Sequence, residues 1–117
     1  MIRKALHFAN RFEKLASAEL IKDILKRNMR ILLLNSGMQT NEFRVTPDQI
    51  EAIIPGNAPP YTVMLRLTGA TLPDDPATRA YAVRALRDNA ENLLRNKMPG
   101  YDITVDIDEG SRVKPLS

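Results

Sequence analysis

Apolar residues near the start of the chain recur at three- and four-residue spacing. Ala5, Phe8, Ala9, Phe12, Leu15 and Ala16 fall on one side of a helix, with Lys4, His7, Arg11 and Lys14 along an adjacent stripe. Leu20, Ile21, Ile24 and Leu25 form a second apolar face. At 3.6 residues per turn it points roughly 150° from the first, so one straight helix cannot bury both on the same side. Ser17 stands where the phase changes and is a favoured N-cap type, which predicts a kink or a new helix from Ala18. The run Ile31-Leu32-Leu33-Leu34 reads as the end of this helical region, with Asn35-Ser36-Gly37 as its stop; a short buried strand is the alternative.

Glu42-Phe43-Arg44-Val45 alternates as a short strand does. Thr46-Pro47-Asp48-Gln49 has the form of a capping box and predicts a short helix, ended by Pro55-Gly56 and followed by the extended Ala58-Pro59-Pro60. From Tyr61 to Thr68, Tyr61, Val63, Leu65 and Leu67 alternate with polar or flexible residues, predicting a half-buried strand. A turn-rich segment leads to a long helix capped by Asp74 or Asp75, with Pro76 in its first turn. Ala80, Val83, Leu86, Ala90, Leu93 and Leu94 mark its inner side, and Lys97-Met98-Pro99-Gly100 ends it. Tyr101, Ile103, Val105 and Ile107 alternate with Asp102, Thr104, Asp106 and Asp108, the clearest strand pattern in the chain.

These elements predict an α+β, two-layer fold: a small sheet of about three strands, with Phe43–Val45 as the third, covered by a long helix. The organisation expected is a basic helical arm over residues 1–36, kinked or in two helices, a compact α/β domain over 37–109, and a polar tail over 110–117. At 117 residues one core is the natural outcome, and 44% apolar with 26% charged residues is an ordinary globular balance.

Charge sharpens this picture. The net charge of +3 conceals an asymmetry, because residues 1–30 carry eight Lys/Arg against three Asp/Glu, whereas residues 31–117 carry nine against eleven. A segregated basic segment suits nucleic acid, an acidic protein surface or anionic lipid. No run of apolar residues is long enough for a membrane span, and the first residues lack the continuous apolar centre of a signal peptide, so none is expected. A cytoplasmic location, or one inside a virus particle, follows as an expectation.

Catalytic chemistry has little to work with. The chain has no cysteine and a single histidine, His7, placed among cations without a carboxylate to orient it. Isolated glycines at predicted turns form no phosphate-binding loop, and no cofactor is implied. Asp102, Asp106 and Asp108, with Glu109, could gather on one strand face as ligands for Mg²⁺ or Ca²⁺, but their spacing matches no Ca²⁺ loop and alternation along a solvated strand alone explains them. A small metal-dependent enzyme is therefore the least favoured expectation.

The expectation that remains is a non-enzymatic structural or assembly subunit, docking onto protein partners in a homo- or hetero-oligomeric complex such as a virus-particle or secretion-type adaptor or connector. Phe8 and Phe12, one turn apart, with Leu15 and the flanking Lys4, His7, Arg11 and Lys14, are the predicted contacts. The alternative is nucleic-acid association through Lys22, Lys26, Arg27 and Arg30 of the basic helices. The six aromatics, however, form no base-stacking motif.

Overall fold

The computed structural model describes residues 2–40 and 42–110, with side chains from residue 17 onward. Helix α1 (Ile2–Asn35) leads through a 3₁₀ turn (Pro47–Gln49) into strand β1 (Ile50–Ile53). Strand β2 (Tyr61–Leu67), helix α2 (Pro76–Lys97) and strand β3 (Ile103–Asp108) follow. The strands form one sheet in the order β1-β2-β3, with β1 antiparallel and β3 parallel to β2. The parallel pair requires a crossover, which α2 supplies. This is the two-layer α+β fold that the sequence implies.

Alternation in the strands decides which face is covered. Tyr61, Val63, Leu65 and Leu67 of β2 and Ile103 and Val105 of β3 are buried, and they pack with Leu86, Leu94, Ala82 and Ala90 of α2. The intervening Thr62, Arg66, Thr104 and Asp106 are exposed on the opposite face. Among the described residues both helices thus cover one side of the sheet and no element covers the other. Helix α2 begins where expected, since the Asp75 carboxylate accepts the Thr78 N–H at 2.9 Å and Pro76 occupies the first turn. Its inner stripe is shifted from the expected one: Ala80 is exposed and Ala82 buried, while Val83 and Leu93 are half-buried.

Three expectations are corrected. First, α1 is assigned as one helix through Ser17 and Ala18, with no new start, and from Ser17 onward it belongs to the domain. Ile21, Leu25, Met29, Leu32 and Leu33 are all buried in the core, so the division at residue 36 between arm and compact domain is misplaced. The reason is sheet area: α2 lies over β3, and β1–β2 needs a second cover. Ser17 does not cap a helix; its hydroxyl hydrogen-bonds the phenol of Tyr61, a buried pairing that fixes α1 over β2.

Second, Phe43–Val45 is not a strand of the sheet. Arg44 makes only isolated bridges to Gln39 and Thr71, while Phe43 and Val45 anchor the segment in the core. Third, the helix expected from Thr46 stops after a single 3₁₀ turn. The turn chemistry is present, with the Gln49 side-chain carbonyl accepting the Thr46 N–H at 3.0 Å. The β-branched Ile50 and Ile53 that follow instead pair opposite Leu67 and Met64 of β2, where strand geometry suits them better than a helix. The third strand is therefore β1.

Candidate interaction surface

Side chains of α1 are described for two full heptads, and they divide the helix circumference into three sectors. At about 100° per residue, Ser17, Ala18, Ile21, Leu25, Met29, Leu32, Leu33 and Ser36 occupy the buried arc. Glu19, Asp23, Lys26 and Arg30 occupy a charged, exposed arc. Between them lies a second apolar line, roughly 140° from the centre of the buried one: Leu20, Ile24, Ile31 and Leu34, interrupted by Arg27. Leu20 is 40% exposed, Ile31 48% and Leu34 57%, while Ile24 is half-buried against the core. A lone exposed leucine is ordinary; here large apolar residues form a line about 20 Å long on one helix. Tyr81, on α2, is 80% exposed.

The predicted partner-binding residues Lys4, His7, Phe8, Phe12, Leu15, Arg11 and Lys14 precede the described side chains; α1 includes all of them in its helical span. The four cations of the nucleic-acid alternative do not form one group. Lys22, Lys26 and Arg30 follow one another at four-residue spacing, whereas Arg27 lies away from them and its Nε contacts Asp23 at 3.0 Å. Lys22 sits 3.9 Å from Glu19. Lys22 and Lys26 also border a groove of about 300 Å³ between α1 and β1, floored by Leu25, Met29, Ile50 and Ala52.

The acidic strand does not assemble a metal centre. Asp106 and Asp108 are separated by a strand repeat of about 6.6 Å, and Asp102 precedes the strand, so their carboxylates are spread along an edge rather than gathered. Among the described residues no group of three acidic, histidine or cysteine side chains is placed to hold an ion. Asp108 is instead a structural residue, accepting the Gly110 N–H at 2.9 Å and the Arg66 Nε at 3.2 Å from the adjacent strand. Those bonds, the Gly110 bond first and then the Arg66 contact, hold its carboxyl below the ordinary aspartate range. Asp75 is likewise lowered by the Thr78 hydroxyl and N–H. Glu109 pairs with Arg79 at 3.2 Å and so ties the end of β3 to α2.

One further polar contact was not apparent from sequence. The Glu91 carboxylate of α2 accepts the Val105 N–H at 3.0 Å, covering part of the outer edge of β3. The exposed line on α1 could have been found in the sequence, because positions 20, 24, 27, 31 and 34 repeat at spacings of four and three residues. The apolar run 31–34 obscured it, since that run also supplies the buried Leu32 and Leu33.

No protein-family model, curated protein or solved structure matches this chain. No helix among the described residues is long and apolar enough to cross a membrane.

Proposed function

We propose that this protein is a non-enzymatic structural subunit that docks onto partner chains of a larger complex through the outward side of α1. The observation that carries the reading is the exposed line of Leu20, Ile31 and Leu34, which remains in solvent after the opposite side of the same helix has built the core. A helix anchored in this way presents its second apolar side rigidly, with little ordering left for association to impose. Asp108 and Glu109 favour the same reading, being engaged in ion pairs and a turn bond instead of converging on a reactive point. Within this class, an adaptor or connector of a virus particle or secretion-type machine suits a chain of 117 residues without cysteine.

The test is affinity capture from the native source with the full chain and with a variant carrying Leu20→Asp, Ile31→Asp and Leu34→Asp. All three positions are exposed, so the variant keeps its fold by circular dichroism. Docking through α1 requires that it lose the captured partners; equal capture by both chains would refute the role. A second reading, nucleic-acid association, draws on the Lys22-Lys26-Arg30 stripe. It requires binding that weakens with salt, at a slope of about −0.9 per phosphate contact on duplex DNA. Binding that ignores salt, or its absence, removes that reading.

A further inference from the structure

We infer that the partner of the outward α1 surface is a second copy of this chain, docked with its α1 antiparallel; the inference rests on the docking role proposed above and names its occupant. Positions 20, 24, 27, 31 and 34 follow a heptad seam, in which Leu20, Arg27 and Leu34 take d positions and Ile24 and Ile31 take a positions. The seam is flanked on one side by Asp23 and Arg30, both g positions, and on the other by Asn28 and Asn35, both e positions.

Charge then selects both the occupant and the direction. In an antiparallel pair, g positions meet g positions. When Leu20 packs against Ile31 of the second copy, Asp23 comes beside Arg30 of that copy, and the twofold axis repeats the pair. In the same register Ile24 lies opposite Arg27 of the second copy, whose aliphatic stem covers it while the guanidinium stays beside its own Asp23, 3.0 Å away. A parallel pair has neither advantage. It brings Arg27 against Arg27 in one layer and sets Asp23 and Arg30 beside asparagines. One surface thus contains both halves of its own complement, as a twofold interface requires. The paired seam involves residues 20–31, with Leu34 at its margin because the position opposite it, Ser17, is buried in the core, and the groove beside β1 stays open.

Sedimentation equilibrium of the full chain over a wide concentration range tests the pairing. A monomer–dimer equilibrium is expected, weakened at least tenfold by Ile31→Asp and several-fold by Asp23→Arg or Arg30→Asp alone. The combined Asp23→Arg/Arg30→Asp variant should recover affinity. Direction is read by disulfide formation, free of background because the chain has no cysteine. A mixture of Leu20→Cys and Ile31→Cys chains should cross-link under mild oxidation, and either alone should not. A chain monomeric at every concentration, a dimer indifferent to Ile31→Asp, or preferential cross-linking of Ile31→Cys to itself would overturn the inference. If the monomeric chain still captured other partners through Leu20 and Ile31, self-pairing would fall while the docking role stood.

Discussion

Leu25→Ala separates two descriptions of the region before residue 37: a detachable basic arm, or a wall of the core. Leu25 is 1% exposed and packs within the cluster that joins α1 to the sheet. Truncating a buried leucine removes its transfer free energy and leaves a cavity, together about 2–5 kcal/mol. For a domain slightly above 100 residues each kcal/mol lowers the melting temperature by about 4 °C, so the expected drop is about 8–20 °C. Ile31→Ala, on the same helix but 48% exposed, is the control and should cost about 1 kcal/mol or less. Thermal denaturation followed by circular dichroism, with urea titration for the free energies, measures both. If Leu25→Ala melted within a few degrees of the wild type, α1 could not be part of the cooperative core. The division of the helix into a buried and a docking side would then be wrong.

Two further outcomes follow from local geometry and charge. Gly110 has φ +78°, and a Cβ there would stand 2.5 Å from the Leu67 carbonyl oxygen. Gly37 has φ +76° with nothing within 4 Å. Gly37→Ala should therefore show only the left-handed backbone penalty of about 1–2 kcal/mol, whereas Gly110→Ala should be worse and break the Asp108–Gly110 turn, as a lost Gly110 amide protection would report. Asp75 and Asp108 have folded-state pKa values below the ordinary carboxylate value. Their contribution is present above the unfolded pKa, near 4, and is lost as pH falls through the folded values. Urea midpoints should fall as the pH drops below about 4, and the Asp75→Asn/Asp108→Asn variant should show a shallower fall; an unchanged slope would remove these residues from the acid response.

Helix α2 and strands β2 and β3 were legible in the sequence because local preference and tertiary burden agree there. Asp75-Pro76 caps a helix in any context, and the alternation of Tyr61–Leu67 and Ile103–Ile107 matches a sheet covered on one side. Strand β1 was hidden by such agreement at the wrong scale. Thr46–Gln49 does make its turn, but whether the chain then continues as helix or strand depends on β2, which offers an open edge opposite Ile50 and Ile53. Local sequence contains no information about that edge.

The exposed apolar line on α1 was harder to see. Leu20 and Ile21 are neighbours in sequence yet face solvent and core, and in the run Ile31–Leu34 the outer two residues are exposed while the middle two are buried. Composition alone reads all of these as one greasy stretch. Only packing against the sheet and α2 decides which positions are core, and those contacts come from a distance in sequence, among them the pairing of Ser17 with Tyr61 and the bond of 3.2 Å from Asn89 of α2 to the Ser36 hydroxyl.

Hydroxyl-radical footprinting provides the most direct check on whether the outward side of α1 is covered when the protein is at work. Leu20, Ile31 and Leu34 should label readily in the dilute purified chain and be protected in the native complex, with Leu25 and Leu33 unreactive in both. Equal labelling of the three exposed residues in the two states would contradict the docking surface outright.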